Sequence, residues 1–335
     1  MKKSLLTLVY TSQDQKDEHQ TLWWTRLANF RSTGILMPFL ILVMALSIAS
    51  KPFLTITNLL NIFDQQSSIL IIASAGTLVL VGGGIDFSVG ATYGLAGVIT
   101  GEVALHHNVV LAIMAGITVG LLVGLVNGIV VSYFKINSLI ATLAISFIVS
   151  GLASRVTSGN LVVLTSVPKL ATVARTDLLG VRSSIWIMLV CSIILALVLS
   201  RSTTGRYLYA AGGNVEAARL AGVRIHGVRI SAFVLSGIAA AIGGIIDVSR
   251  VLSAQASSGD QLAFTVLAGI VVGGTSIAGG EGAVWRSIIG VLFIALVGNG
   301  FDLLGINPLY EQMLLGLILL GGVGVDAWSR IRRTS

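Results

Sequence analysis

The chain of 335 residues is 55% hydrophobic and only 10% charged, with a formal net charge of +7. Soluble globular domains contain about 25% charged residues, and the mean hydropathy here is +0.94. The composition therefore excludes an ordinary soluble domain and predicts a polytopic membrane protein. Uncharged windows of about 17 or more residues can cross a hydrocarbon core of about 30 Å as helices. They lack the alternation of apolar and polar residues that a membrane β-barrel needs, so we expect an all-α fold.

Ten membrane-spanning helices are predicted. The apolar run in the opening MKKSLLTLVY is too short for a cleaved leader, so residues 1–33 are expected to be a retained cytoplasmic tail. A single transmembrane domain is expected over 34–327, followed by a cytoplasmic tail at 328–335. In chain order the predicted spans are 34–50, 57–82, 87–105, 109–134, 138–153, 184–200, 230–249, 262–279, 286–304 and 309–327.

The basic residues predict the orientation. With ten spans both termini share one side, and fifteen of the 21 Lys and Arg residues fall on that side. The positive-inside rule then places both termini in the cytoplasm. The net charge is thus mostly a topology signal, which argues against nucleic-acid binding.

The longest predicted outer loop, 154–183, carries four basic residues and one acid, Asp177. Two interpretations remain open for this periplasmic loop. Its charges are either the ordinary polarity of a solvated loop or a surface that contacts an external partner.

No catalytic or metal-binding pattern is found in the sequence. The single cysteine, Cys191, lies in an apolar run, where a small core residue is the simpler interpretation. His106 and His107 are adjacent, but nothing is spaced to complete a metal site with them. The sequence has no G-x-x-x-x-G-K-[ST] loop, so we expect neither a nucleotide, a cofactor nor a metal in this chain.

Ion-coupled carriers depend on ionisable residues inside their spans. The candidates here are Asp64, Asp86, Asp247 and Asp302, and most of them fall near predicted span ends. A conduit driven by another protein is therefore favoured over an ion-coupled carrier.

The stretch VGGGIDFSVG, residues 81–90, interrupts this apolar chain with four glycines and a carboxylate. Asp86 can accept from free N–H groups of the helix that follows, with Ser88 assisting, and the glycines permit a sharp reversal. A similar segment at 273–282 is expected on the same inner side. We favour a hinge in a moving path over a static turn. The helix-break residues are Gly83, Gly84, Asp86, Ser88, Gly90, Gly273, Gly274, Thr275, Gly279 and Gly280.

The longest predicted inner loop, 201–229, contains the pattern of a short, separately capped helix at 215–221. Asn214 is a favourable N-cap, Glu216 suits the first turn, and Gly222 can close the helix in the left-handed conformation. A helix of about seven residues is marginal in isolation, so it must dock on another surface. The alternative is an ordinary connector packed on its own membrane domain.

Three motifs, at 83–90, 216–222 and 271–282 in chain order, resemble those of the monosaccharide branch of the permeases of ABC importers. Glu216, Ala217, Ala218 and Gly222 match the E-A-A-x-x-x-G coupling motif of these permeases. The segment GGIDFSVG, 83–90, is similar to the signature G-G-I-D-L-S-V-G of this branch, and VVGGTSIAGGEG, 271–282, is a third match. The resemblance extends over about 35–327 and is greatest to the ribose permease subunit. It implies the coupling residues Gly212, Gly213, Asn214, Glu216, Ala217, Ala218, Arg219 and Gly222.

Two departures from this branch concern the substrate. Phe87 replaces the leucine of the signature, and Ala75 and Gly76 replace a glycine and a methionine before T-L-V. Many relatives have E-L-D where this chain has Ala263, Phe264 and Thr265. The identity of the sugar therefore stays open.

The resemblance implies a translocating subunit without enzymatic activity in the inner (cytoplasmic) membrane of a bacterium, working as a homodimer in the lipid bilayer. Its partners would be an ABC ATPase subunit, which binds ATP and Mg, and a periplasmic sugar-binding protein. An ion-coupled secondary transporter and a non-transporting scaffold are the alternatives.

A small neutral sugar needs hydroxyls and amides along its path rather than charges. Helix packing is the commoner role of such side chains in membranes. With that alternative open, the substrate-path candidates are Gln65, Gln66, Ser67, Asn127, Gln255 and Asn299, with Ser68, Thr142 and Ser253 as further members.

Overall fold

The computed structural model of the protein describes residues 34–307 and 309–334. The expected N-terminal tail, 1–33, lies outside the described residues. The chain is rich in apolar and small side chains, and few helix-breaking residues lie inside its apolar segments. The described part accordingly forms thirteen α-helices. These are α1 (Leu36–Ala49), α2 (Ile56–Val81), α3 (Val89–His106), α4 (Val109–Tyr133), α5 (Ser138–Thr157), α6 (Thr172–Arg175), α7 (Ser183–Arg201), α8 (Thr203–Gly213), α9 (Val215–Leu220), α10 (Ile225–Val251), α11 (Leu262–Val272), α12 (Val284–Leu304) and α13 (Leu309–Thr334).

The all-α expectation is confirmed, because extended structure in the described residues is limited to four two-residue strands. Strand β1 (Val162–Val163) pairs antiparallel with β4 (Ser253–Ala254). Strand β2 (Asp177–Leu178) pairs antiparallel with β3 (Val181–Arg182). The predicted loop 154–183 therefore has structure of its own, beginning after α5 ends at Thr157.

Six described helices are long and apolar enough to cross a membrane, namely α2, α4, α5, α7, α10 and α12. Shorter apolar helices occur at Leu36–Ala49, Leu262–Val272 and Leu309–Gly321. A polytopic membrane fold is confirmed, whereas the count of ten spans and the cytoplasmic termini stay predictions.

One predicted span, 262–279, is wrong in its extent because α11 ends at Val272. At about 1.5 Å per residue, eleven residues reach roughly half-way across a hydrocarbon core of about 30 Å. Helix α10 begins earlier than predicted, at Ile225, and α13 continues to Thr334 through most of the segment assigned to a C-terminal tail.

Helices α2 and α10 form the centre of the bundle. Helix α10 packs most extensively on α4 and also lies against α3 and α2. Backbones approach closely at the α4–α10 crossing because both helices have glycine there. A Cβ added to Gly120 would collide with the carbonyl oxygen of Gly237, and one on Gly124 would lie 2.8 Å from the Cα of Val234. Small residues are the means by which membrane helices achieve such contact.

The chain between α10 and α11 lies along α3, first as the short strand β4 and then as a series of turns. A Cβ on Gly101 would lie 3.4 Å from the Cβ of Ala254, and one on Gly94 would lie 2.6 Å from the carbonyl oxygen of Ala256. At the beginning of α3, Gly90 is in backbone contact with Gly259. The starts of α3 and α11 therefore meet inside the bundle, and both belong to interrupted segments.

Charged side chains connect three helices at the opposite end of the bundle from α9. The Asp64 side chain, 5% exposed, accepts from Nη1 of Arg182 at 2.6 Å and from the hydroxyl of Ser184. Nη1 of Arg250 donates to the backbone oxygen of Asp64 at 2.7 Å, and its Nη2 donates to Asp247 at 2.9 Å. Two of the acids considered for ion coupling are thus paired with arginines that hold the helices together.

Replacement of Gly120 by Ala is expected to destabilise the protein by about 1–3 kcal/mol, because the added methyl group forces α4 and α10 apart. Thermal unfolding of the purified protein in detergent measures this effect. Gly151→Ala is the control, since a Cβ on that helical glycine meets no atom within 4 Å. Equal melting temperatures for the two variants would contradict close backbone packing at the α4–α10 crossing.

Candidate coupling site

The predicted capped helix in the inner loop is confirmed as α9, Val215–Leu220. The side-chain oxygen of Asn214 accepts from the N–H of Ala217 at 3.0 Å. Gly222 follows the helix with φ +82°. Its N–H donates to Arg219, and the N–H of Val223 donates to Ala218. The two bonds form a Schellman motif, in which a left-handed glycine satisfies the last carbonyls of a helix.

Helix α9 presents most of its surface to the outside. Ala218 is its only buried residue, 5% exposed, and packs with Ala211 and Ile225. Leu220 is 84% exposed although it is apolar. The ion pair between Glu216 and Arg219, at 3.8 Å, lies in solvent and contributes little to stability. A rigid helix with one buried alanine and an exposed leucine has the form of a docking surface.

Helix α8 precedes α9 directly and was missed by the sequence analysis, which placed it in a polar loop. Ser202 caps it by accepting from the N–H of Gly205 at 3.0 Å. Leu208 and Ala211, three residues apart, are fully buried on one face. The cap and this spacing are the sequence signals that identify the helix, but the three glycines in TTGRYLYAAGG lower its intrinsic helix propensity.

Both glycine-rich breaks end their helices in the same way as α9. After α2, Gly83 has φ +78°, its N–H donates to Leu80, and the N–H of Gly84 donates to Val79. After α11, Gly274 has φ +86°, and the corresponding bonds lead from Gly274 to Val271 and from Thr275 to Ile270. We name residues 82–84 the first glycine turn and residues 273–282 the second glycine turn.

The two glycine turns touch each other and the end of α8. The N–H of Gly280 donates to the carbonyl oxygen of Val81, the last residue of α2, at 2.9 Å. Gly212 covers this bond, since a Cβ added there would collide with the Val81 oxygen and lie 2.6 Å from the Gly280 nitrogen. A Cβ on Gly279 would lie 2.8 Å from the Cα of Gly83. Two of the predicted coupling residues, Gly212 and Gly213, therefore meet both helix breaks in one place, and we name these two residues together with 81–84 and 279–280 the glycine junction.

A hydrogen bond also attaches α8 to the second glycine turn. The phenol of Tyr209 donates to the carbonyl oxygen of Gly282 at 2.7 Å. Burial raises the pKa of this phenol, and the nearby Arg286 partly opposes that effect. The hydroxyl is therefore protonated at neutral pH and serves as the donor. On the same turn, Thr275 lies 3.3 Å from the hydroxyl of Ser287 on α12.

Side chains of neighbouring helices hold the segment between the first glycine turn and α3. The N–H of Ile85 donates to Ser138 and the N–H of Phe87 donates to Thr142, each at 3.0 Å. These two acceptors lie on the first turns of α5. Thr142, a candidate for the substrate path, thus serves to satisfy extended backbone.

Asp86 connects this segment to α3 and α10. Its Oδ1 accepts from the N–H of Ser88 at 3.0 Å and from the Ser88 hydroxyl at 2.6 Å, while Oδ2 accepts from the hydroxyl of Ser236 at 2.8 Å. The predicted cap of the helix is wrong in its donor, because Asp86 accepts from Ser88, the residue before α3, and α3 begins at Val89 without a side-chain cap. Among the described residues Asp86 forms no ion pair. Its charge therefore faces hydroxyl and backbone donors at the start of α3, where the helix dipole favours an anion.

The two departures from the family signature touch each other. The rings of Phe87 and Phe264 meet edge to face, with centroids 5.2 Å apart. Such pairs contribute about 0.5–1.5 kcal/mol beyond their buried area. The pair connects the first interrupted segment to α11. Ala263 and Asp86 both line a small cavity of about 20 Å³ beside it.

The structure does not gather the six substrate-path candidates into one pocket. Asn127 is buried and donates to the Ser88 hydroxyl at 2.7 Å, and its Oδ1 has no partner in the described part of the chain. Asn299 exchanges two hydrogen bonds with Asn58 on α2. Ser67 donates to the backbone oxygen of Asp64. Gln65 and Gln255 are exposed, and Gln66 is partly buried. As sugar contacts, all six stay predictions.

No group of three or more His, Cys, Asp or Glu residues in the described ranges is arranged to hold a metal ion. The candidate site consists of the capped helix α9, the two glycine turns and the hydrogen-bonded carboxyl group of Asp86.

The sequence is similar to those of known transport-system permeases. Residues 58–323 match the family described as the permease component of the branched-chain amino acid transport system. The ribose import permease protein of Escherichia coli (strain K12) is 34% identical over 301 residues, covering 87% of this chain and 92% of that protein. The ribose import permease protein of Bacillus subtilis (strain 168) is 36% identical, covering 86% and 91% of the two chains.

A further relative is the L-arabinose transport system permease protein of Escherichia coli (strain K12), which is 37% identical over 298 residues. The match covers 89% of this chain and 90% of that protein. No solved structure matches the chain.

Replacement of Asp86 by Asn is expected to leave the fold intact. An amide oxygen can accept from Ser88, and the hydroxyl of Ser236 can turn to accept from the amide nitrogen. Asp86→Ala leaves buried donors without an acceptor and is expected to cost about 1–3 kcal/mol. Thermal unfolding of both purified variants tests whether Asp86→Ala is the less stable of the two. A melting temperature for Asp86→Asn as low as that for Asp86→Ala would show that the charge itself is needed for stability.

Proposed function

The chain belongs to the family of transport-system permease components, and on this premise we propose that it is the membrane-spanning subunit of an ATP-driven sugar importer. The observation that carries the proposal is α9, a capped helix with an exposed face, attached through α8 to both glycine turns. The resemblance assigns such a helix to contact with an ATPase subunit. ATP and Mg are then bound by that partner rather than by this chain.

The relatives support a monosaccharide as the substrate. Two of them carry ribose in their names and the third carries L-arabinose. The interior of the bundle agrees with an uncharged substrate, since its buried polar side chains are mainly serine, threonine and asparagine. The proposed substrate is therefore a neutral monosaccharide such as ribose.

The proposed assembly places two copies of the chain in the bacterial inner membrane with the α9 helices on the cytoplasmic side. A periplasmic binding protein delivers the sugar from outside. Closure of the ATPase shifts the permease only if α9 binds the closed ATPase differently from the open one. The exposed residues of α9, including Glu216 and Leu220, are the surface on which that difference acts.

An ion-coupled carrier is the alternative transport mechanism. Asp64 and Asp247 lie in ion pairs with Arg182 and Arg250, and this pairing accounts for them as structural residues. A non-transporting scaffold has little use for interrupted helices, which are characteristic of transport proteins. An ATP-driven permease accounts for the interrupted segments and the docking helix together.

Uptake into proteoliposomes tests the driving force. The chain is reconstituted with the ATPase and binding protein encoded beside it, and radiolabelled ribose and L-arabinose are offered separately. We expect uptake that requires ATP on the ATPase side and persists when ionophores dissipate ion gradients. Uptake that stops with the ionophores while ATP remains would establish the ion-coupled alternative.

Changes in α9 test the coupling. Glu216→Lys reverses a charge on the docking face, and Gly222→Val places a β-branched residue at φ +82°, which only glycine adopts without strain. Both are expected to lower uptake about tenfold or more, a loss of ~1.4 kcal/mol or more, while ATP hydrolysis continues. Purified complex is assayed for both activities.

Gly227→Val is the matched control, because that glycine is also exposed near the cytoplasmic end but has ordinary φ and open space. It is expected to transport like the unmodified protein. Normal uptake by a well-expressed Gly222→Val variant would refute the assignment of α9 as the coupling helix.

A further inference from the structure

Helix α8 contacts both glycine turns. These contacts suggest a role for α8 in addition to that proposed for α9. Ala218, the one buried residue of α9, packs with Ala211 of α8 and Ile225 of α10. Helix α9 is joined to α8 by the single residue Asn214 and to α10 by residues 221–224. The shorter connection for a force applied to α9 therefore leads through α8.

Helix α8 reaches α2 through close packing. A Cβ on Gly82 would lie 2.9 Å from Cδ2 of Leu208, and Gly212 contacts the carbonyl oxygen of Val81. The end of α2 and the first glycine turn are thus in van der Waals contact with two successive turns of α8.

Helix α8 reaches the second glycine turn at two points. Tyr209 donates to the carbonyl oxygen of Gly282 at 2.7 Å. Gly212 lies against the nitrogen of Gly280, and a Cβ on Gly280 would lie 2.7 Å from the Cα of Gly213. Gly279 and Gly280 have φ +87° and +76°, so this turn keeps its shape only with glycine.

The hydrogen bond from Gly280 to Val81 joins the two turns to each other beneath Gly212. It gives a partner to one of the last carbonyls of α2, which have none within the helix. A displacement of α8 must consequently move both turns together or break this bond.

We infer that Gly212 and Tyr209 are positioning residues for transport, which transmit movement of α9 to both glycine turns at once. This inference rests on the proposed function. It assigns to the glycine junction the task of opening the two interrupted segments in step, so that the start of α3 and the end of α11 move in one event. Neither residue touches the substrate in this account.

The test compares Gly212→Ala, Tyr209→Phe and Gly227→Ala in the reconstituted complex with its ATPase and binding protein. Three quantities are measured at equal protein: ATP hydrolysis, uptake of the sugar that the unmodified complex transports, and melting temperature. The ratio of uptake to ATP hydrolysis gives the number of sugars moved per ATP. A substitution that only lowers stability, as the melting temperature reports, does not change this ratio.

Gly212→Ala places a methyl group on the bond between Gly280 and Val81, and we expect sugar moved per ATP to fall about tenfold or more. Tyr209→Phe removes one neutral hydrogen bond without adding volume, and the expected fall is about fivefold. Gly227→Ala meets no atom within 4 Å and is expected to retain the normal ratio.

The inference is overturned if Gly212→Ala and Tyr209→Phe keep the normal ratio of sugar to ATP while Glu216→Lys lowers it, since coupling would then bypass the junction. It is also overturned if both variants lose ATP hydrolysis and uptake in proportion to a lower melting temperature, which would show a structural role alone. Absence of ATP-dependent uptake in the unmodified complex overturns the proposed function and this inference with it. Normal uptake with Glu216→Lys leaves the proposed function standing but overturns the assignment of α9 as the coupling helix and with it this inference.

Discussion

The hydrogen bonds of the backbone are the constraint on which the rest of this structure depends. Inside a bilayer an interrupted helix is possible only where other parts of the protein satisfy its free N–H and C=O groups. Here Ser138 and Thr142 accept from the extended chain before α3, Asp86 accepts from Ser88, and Gly280 donates to Val81. Because Ser138 and Thr142 lie on α5 and Gly280 lies on the second glycine turn, both interruptions also connect elements that are far apart in sequence.

Much of this organisation follows from local sequence. The cap of α9 was predictable because Asn214 and Gly222 act on their own neighbours, within one helix. The bond between Asp86 and Ser88 was predictable for the same reason, but the bond between Asp86 and Ser236 was not, since 150 residues separate the two. The early end of α11 was missed because VVGGTSIAGG is apolar enough to suggest a continuous span, although Gly274 already stops the helix. Contacts between glycine backbones, such as Gly212 with Val81, have no side-chain pattern that could indicate them.

The two ends of the bundle are held by different kinds of interaction. One end uses long charged side chains, with Arg182 and Arg250 around Asp64. The other uses backbone atoms of glycines in van der Waals contact. Between these ends, the edge-to-face contact of Phe87 and Phe264 connects the first interrupted segment to α11 through side chains.

The lack of side chains at the glycine junction also determines how much of a displacement of α8 reaches the neighbouring helices. Side chains have several rotamers and absorb small displacements by changing from one to another. Gly212, Gly279 and Gly280 have no rotamers, so a shift of α8 by a fraction of an ångström reaches α2 and α12 almost undiminished. The shape of this contact is therefore fixed by backbone geometry alone, and a change of side chains elsewhere in the bundle leaves it unaltered.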